Sequence, residues 1–358
     1  MVLFRVQLCL NVTLSSRFTA MSLVTARTYP RAALAGNPSD GYYGKTIAYT
    51  FDNFHTDVFL QPNTDTPEFP PGMNCHVALA SGEPLDLVDQ GGGEQLILAS
   101  VRRFREFCRK QGMLLPELSV TIGFQTSIPQ GVGLAGSSAI ILGCFRVLMK
   151  FSNVTVSPPV LANEVLMVEV ENLGIAGGLQ DRVTQVYGGM VYMDFNRQIM
   201  KQRGYGHYEV LDFNTPERLY IAYNPSLAEV SGALHGDLRQ RWRTGDQVFI
   251  DTMNRCAQIA DESRVAIVAQ DMSKLSELID RGFDYRNSCI PSNAGNLKMI
   301  QLARESGAST NQAGSGGAIT GLVDNNSMFD RLKEAMSDEN IQVIQPRLVR
   351  NEANNYGH

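Results

Sequence analysis

Pro129-Gln-Gly-Val-Gly-Leu-Ala-Gly-Ser-Ser-Ala139 is a glycine-rich loop that runs straight into an apolar helix. Upstream, Leu118-Ser-Val-Thr-Ile-Gly-Phe124 alternates apolar with small or polar residues, the pattern of a half-buried strand. Downstream, Ala139-Ile-Ile-Leu-Gly-Cys-Phe-Arg-Val-Leu-Met149 is apolar almost all round, as a buried helix is. Strand, loop and helix start direct unpaired N–H groups and a positive dipole end at one point, which suits a phosphate. The loop lacks the Lys-Ser or Lys-Thr of a Walker A sequence, and its glycines miss the dinucleotide spacing. The Ser137-Ser138 pair either caps the helix or reaches a phosphate-bound magnesium ion. Read alone, the segment also fits a glycine-rich turn with a serine cap that binds nothing.

The rest of the composition narrows the choice. At 358 residues the chain can bury a sizeable core, and its length suits about two domains. A formal net charge of −5 argues against a dedicated nucleic-acid binder, which needs a concentrated basic surface. Arg102, Arg103 and Arg105 make the best basic stretch for RNA, but the chain is net negative. The six cysteines are scattered, with no Cys-x-x-Cys pair and no histidine at zinc-ligand spacing, so reduced thiols are expected. No run of eighteen apolar residues exists, so no transmembrane helix and no membrane partner are expected. Residues 1–25 carry Arg5 and Arg17 among Ser and Thr, and no acid precedes Asp40. They read as an unstructured extension or an organellar transit segment, with Met21 as an internal start, on an otherwise cytoplasmic protein.

Periodicity places early strands at 46–50 and 58–60 and a proline-rich loop from Asn63 to Gly72. It then places a helix over Gln95–Lys110 with an exposed basic side, a helix over Ser157–Glu171, and a strand over Gly189–Phe195. Between Asn196 and Glu217 the periodicity lapses. This divides residues 26–205, which hold the phosphate loop, from residues 206–358. The second part opens with a strand at Arg218–Tyr223. It continues with helices at 245–268, 272–280 and 296–306, a strand at 318–323, a further helix and a last strand near 341–344. The mixture is an α+β fold of two domains.

Two further segments complete the pattern, Arg31-Ala-Ala-Leu-Ala-Gly-Asn-Pro-Ser-Asp-Gly-Tyr-Tyr-Gly-Lys45 and Asn311-Gln-Ala-Gly-Ser-Gly-Gly-Ala-Ile319. Taken in order with the phosphate loop, they resemble the three signature motifs of the GHMP kinases. The resemblance covers nearly all of the chain from about Ala26. Leu34-Ala-Gly-Asn-Pro-Ser-Asp-Gly41, Val132-Gly-Leu-Ala-Gly-Ser-Ser138 and Ala176-Gly-Gly-Leu-Gln-Asp-Arg-Val-Thr-Gln-Val-Tyr-Gly-Gly189 are most similar to the glucuronokinase branch. Galactokinases typically carry Glu-His where this chain has Asn37-Pro38.

The resemblance implies a two-domain GHMP kinase fold with ATP in the cleft between domains, and phosphoryl transfer to the anomeric hydroxyl of D-glucuronate. Another sugar, as in a galactokinase or an arabinokinase, and a non-catalytic ATP and sugar sensor are the alternatives. Gly131, Gly133, Leu134, Ala135, Gly136, Ser137 and Ser138 form the implied phosphate cradle. Magnesium is the implied cofactor, with Ser138 and Glu169 as its ligands. Glu171, two positions on, faces another side of a helix and is the competing carboxylate. Asp181 is the implied catalytic carboxylate in a turn, and Arg31 the cation beside it or beside the transferring group. Asn37, Ser39, Asp40, Gly316 and Gly317 fall where the family contacts its substrate. A sugar acid also needs a cation for its carboxylate, for which Arg182, Arg286, Lys45, Arg239 and Arg241 are all candidates. The protein is expected to act as a monomer.

Overall fold

The computed structural model describes residues 23–63, 69–80, 92–115, 119–228 and 232–349, excepting the side chains of 232–237. The expectations for residues 1–22, the middle of the proline-rich loop, Gly91 and Leu118 lie outside the described residues.

Three antiparallel four-stranded sheets organise the chain. The first has the order β1-β4-β6-β5, from β1 (Val24–Thr28), β4 (Thr56–Pro62), β6 (Val120–Thr126) and β5 (Cys75–Leu79). The second has the order β2-β3-β7-β8, from β2 (Arg31–Ala35), β3 (Lys45–Thr50), β7 (Met190–Asp194) and β8 (His207–Leu211). The third has the order β10-β11-β9-β12, from β10 (Asn311–Gln312), β11 (Ala318–Leu322), β9 (Leu219–Tyr223) and β12 (Gln342–Ile344). Helices α1 (Gly93–Lys110), α2 (Gly136–Ser152), α3 (Pro158–Met167), α4 (Gln180–Tyr187) and α5 (Arg197–Arg203) lie in the first part of the chain. Helices α6 (Gly232–Arg243), α7 (Gln247–Val268), α8 (Met272–Cys289), α9 (Ala294–Glu305) and α10 (Asn326–Ser337) lie in the second. No helix among the described residues is long and apolar enough to cross a membrane.

Helix α2 is the central element of the first part, and Ala139 to Met149 are all buried along it. It packs on β1 and β4 and against α1, where the Phe104 and Phe145 rings meet edge to face at 5.8 Å. Gly143 permits the close approach to the sheet: a Cβ there would lie 2.3 Å from Val58 Cγ2. A second core joins the two parts of the chain. Leu34, Ile47 and Tyr49 pack in it with Leu219, Ile221, Ile259 and Leu275.

Several expectations change in detail. Strand β1 begins at Val24 and pairs with β4, so the N-terminal extension ends before residue 24 rather than at 25. Strand β8 pairs with β7, so the first part continues past residue 205 to Leu211. The single helix expected over Ser157–Glu171 is α3 followed by one π-helical turn, Val168–Asn172. Helix α8 runs on to Cys289, nine residues beyond the expected end at Asp280. The basic side of α1 is not wholly exposed. Arg103 is buried and paired with Glu164 at 2.6 Å and with Glu171, which removes it from any RNA surface.

Replacing Gly143 with Ala gains about 1 kcal/mol of helix propensity but forces α2 off a stiff β-branched neighbour. The expected result is a net loss of roughly 1–3 kcal/mol in urea unfolding. Most of that loss should be recovered in the Gly143→Ala/Val58→Ala double variant.

Candidate active site

The phosphate loop connects β6 to α2, and its backbone folds into a concavity. Every second residue has positive φ: Gly131 at 72°, Gly133 at 73° and Ala135 at 62°. Alternation of this kind turns successive N–H groups the same way. Ala135 is a non-glycine residue held in the left-handed region at the helix start, a local strain of the kind found where ligands bind. Helices α7, α8, α9 and α10 each begin with an Asp or Asn side chain accepting from the first turn, as in Asp246 from Phe249 N at 3.1 Å. Helix α2 has no such side-chain cap, and its first intrahelical bond runs from Ala139 N to Ala135 O at 3.1 Å. The N–H groups of Gly136, Ser137 and Ser138 are therefore left for a ligand at the positive end of the dipole. Leu134 contributes only backbone, since its side chain is buried and its carbonyl accepts from Arg31 N at 3.2 Å.

Arg31 ties this loop to the other motifs. Its Nη1 donates to Gly133 O at 2.6 Å and to Ala313 O at 2.9 Å, and its Nε donates to Asp181 Oδ1 at 2.6 Å. Asp181 lies in the first turn of α4 rather than in the expected turn. Its second oxygen accepts from Arg182 Nη1 at 3.3 Å, and 20% of the side chain remains open. Arg182 is buried, donates to Gly178 O at 2.8 Å and pairs with Glu169. Desolvation, and then the charge of Arg31, bring it down to about 9.

Glu169 and Glu171 part company in the π-helical turn. Glu169 turns inward, buried to 2% exposure, and accepts from Ser137 Oγ at 2.8 Å. Glu171 turns to Arg103 on α1, away from the loop. Widened turns of this type often occur at functional positions. Ser137, rather than the expected Ser138, therefore faces Glu169. Ser138 Oγ is buried without a hydrogen-bond partner among the described residues. No cluster of three or more His, Cys, Asp or Glu suited to a metal occurs among the described residues. A cation here would take one carboxylate and one or two hydroxyls from the protein.

The third motif closes over the loop from the other part of the chain. A Cβ on Gly133 would lie 2.8 Å from Gly316 O, and a Cβ on Gly314 would lie 2.2 Å from Gly133 O. Gly317 is fixed by accepting from Asn224 N at 2.9 Å and donating to Asn296 Oδ1 at 2.8 Å. The first motif divides by role. Asn37 donates to Gln312 O at 3.0 Å and accepts from Asn311 Nδ2 at 2.8 Å. Ser39 closes its own turn, donating to Lys45 O at 2.8 Å and accepting from Lys45 N at 3.0 Å. Both side chains thus hold the first motif in place through these bonds. Asp40 stands free of that turn against Gly178, and it accepts from Gln180 N at 3.4 Å. Burial, and then the neighbouring charge of Asp181, push Asp40 up to about 6.

Burial raises Cys75 and Cys108 to about 11 and Cys144 and Cys256 to about 12, which disfavours the thiolate at these four positions. The sequence reading missed the helical setting of Asp181 and the pairing of Arg182 with Glu169. A Gln-Asp-Arg start followed by apolar Val183 and Val186 carried the helix signal. Nothing in the sequence marked the ion pair.

Residues 95–189 match the profile of the GHMP kinases N terminal domain. Over 322 residues the chain is 37% identical to Glucuronokinase 1 of Arabidopsis thaliana, covering 86% of this chain and 87% of that protein. Among solved structures it resembles a Lin0012 protein from Listeria innocua with a TM-score of 0.77, at 14% identity and covering 92% and 99% of the two chains. It resembles Lactococcus lactis galactokinase, solved with galactose, with a TM-score of 0.73, at 15% identity and covering 92% and 94%. These two structures support the α+β fold described above.

The shift at Asp40 has a stability consequence. Between about 4 and 6 the unfolded chain has lost the Asp40 proton while the folded chain still holds it, so this group lowers stability as pH rises through 6. Asp40→Asn should therefore melt at a higher temperature than the parent at pH 7.5. The gap should close as the pH falls from 6 to 4, as followed by circular dichroism.

Proposed function

This chain belongs to the GHMP kinase family, and from that premise we propose that it transfers the γ-phosphoryl group of ATP to the anomeric hydroxyl of D-glucuronate. The products are glucuronate 1-phosphate and ADP. The observation that carries the reading is the Arg31 bridge, which holds the Asp181 carboxylate within one guanidinium of the phosphate loop. A kinase needs that distance fixed, because little covalent chemistry is left to the protein beyond positioning and charge stabilisation.

In this reading the triphosphate lies against the N–H groups of residues 131–138, covered by Gly314–Gly317. The sugar lies between Asp40 and Asp181, with Asp40 accepting hydrogen bonds from ring hydroxyls. Asp181 takes the proton of the anomeric hydroxyl as its oxygen bonds to the γ-phosphorus. The bond to the bridging oxygen breaks, and its electron pair leaves with ADP. Arg31 orients the Asp181 carboxylate and stays beside the phosphoryl group as charge moves across it. The donor set fits magnesium: Glu169 and the Ser137 hydroxyl that donates to it are hard oxygen ligands in contact, and the neighbouring Ser138 contributes a hydroxyl without a described partner. Bound there, magnesium neutralises charge on the β- and γ-phosphates.

The test is ADP release by purified protein with magnesium, ATP and a panel of glucuronate, galacturonate, glucose, galactose and arabinose. Turnover on glucuronate above the other sugars is expected. Preference for a neutral sugar would move the assignment to another branch, and tight binding of ATP and sugar without turnover would make the protein a sensor. In the active protein, Asp181→Asn should lower kcat by roughly 10³–10⁴-fold with the melting temperature little changed. Glu169→Gln should raise the magnesium concentration needed for half-maximal rate.

A further inference from the structure

A sugar acid entering the site as proposed meets two carboxylates, Asp40 and Asp181, before it meets any free positive charge. Its own carboxylate therefore needs a cation that no protein carboxylate already holds. Three of the five candidate cations fail this requirement, and a fourth is buried. Arg182 is buried against Glu169 and Asp181. Lys45 Nζ lies 2.6 Å from Asp261 and 3.8 Å from Asp194. Arg241 donates to Asp246 at 2.8 Å and to Cys289 O at 2.9 Å. Arg286 has no carboxylate partner among the described residues, but it is buried to 4% exposure and held on Gln312 and Ser292, closed off from solvent.

Arg239 on α6 remains. It is partly exposed, and its one described hydrogen bond runs from Nη2 to Gly177 O at 3.0 Å. No described carboxylate pairs with it, so Nε and Nη1 are left for a ligand. The adjacent glycine marks how near the sugar site is, because a Cβ on Gly178 would lie 2.1 Å from Asp40 Oδ2. The Tyr42 phenol feels the charge of both Asp40 and Arg239. The base of the helix is anchored there too, since Tyr42 meets Trp242 at 5.3 Å and Phe249 at 4.9 Å between ring centroids. That aromatic cluster fixes α6 over the 39–42 turn, so the guanidinium is carried on a braced element.

We infer that Arg239 binds the substrate carboxylate and is the residue that selects a sugar acid over a neutral sugar. This rests on the proposed glucuronate kinase activity and adds the group that reads C6. A guanidinium suits the task because two parallel N–H groups match the two carboxylate oxygens. Gly177 O, holding the third nitrogen, orients the plane.

The experiment compares glucuronate with glucuronamide, which has the same ring and a neutral C6. Wild type, Arg239→Gln and Arg239→Lys are each assayed for kcat/KM on both sugars. Arg239→Gln should lose roughly 100-fold on glucuronate and change little on glucuronamide, collapsing the ratio between them. Arg239→Lys, which keeps the charge without the fork, should give an intermediate ratio. If Arg239 merely braces the Gly177 turn, both sugars lose activity together and the ratio stays that of wild type, which overturns the inference. Absence of wild-type turnover on glucuronate would instead overturn the proposed activity, and this inference with it.

Discussion

The site depends on one buried guanidinium. Arg31 is 5% exposed, and it joins a strand of the second sheet, the phosphate loop, the third motif and a helix start through four short contacts. Desolvating an arginine costs several kcal/mol unless its donors are answered, and here a carboxylate and two carbonyls answer them. The same contacts fix the position of Asp181 relative to Gly133. Removing Arg31 would leave Asp181 facing Asp40 without its cation and the loop without its tether. Structure and chemistry thus share a residue.

Around that bridge the charges alternate. Glu169 is answered by Arg182, Arg182 also reaches Asp181, and Asp181 is answered by Arg31. Asp40 has no ion-pair partner among the described residues, and burial and the charge of Asp181 push it upward against the opposing charges of Arg31 and Arg182. A group held at a cost in stability inside a cleft is what functional sites commonly contain. The sugar hydroxyls assigned to Asp40 would supply the donors it now lacks. Arg239 stands just beyond it, as a positive charge without a protein counter-ion among the described residues.

Close backbone approach supplies the remaining constraint. The loop of the third motif and the phosphate loop lie so near that a single methyl at Gly133 or Gly314 would meet a carbonyl oxygen of the other. Glycine is required at these positions by contact across the chain as well as by dihedral angle. The second core, shared by β2, β3, β9, β11, α7 and α8, keeps the two loops in that register. That apolar layer joins the two parts of the chain that were expected as domains.

Much of this is legible in local chemistry alone. A strand, glycines and an apolar helix start form the pattern of an anion cradle, because each of those features is set within a few residues, while the missing helix cap shows only in the structure. The three motifs in order carried the family, and periodicity alone located α2, α7, β7 and β9 within a few residues. Legibility ended where partners are distant in sequence. Glu169 and Glu171 are indistinguishable in the chain, and only the π-helical turn sends one to Ser137 and the other to Arg103. Asn37, Ser39 and Asp40 look alike as turn polar groups, yet Asn37 reaches across to Gln312 and Asn311, Ser39 closes the turn, and Asp40 stands against Gly178. Arg182, Arg286 and Lys45 stood ahead of Arg239 and Arg241 as candidate cations until the fold gave three of the five carboxylates and buried a fourth. Sequence determines which groups are available and where the backbone is free to bend. Tertiary structure decides which charges remain unanswered, because a salt bridge between residues 150 positions apart depends on how sheets and helices pack, not on spacing.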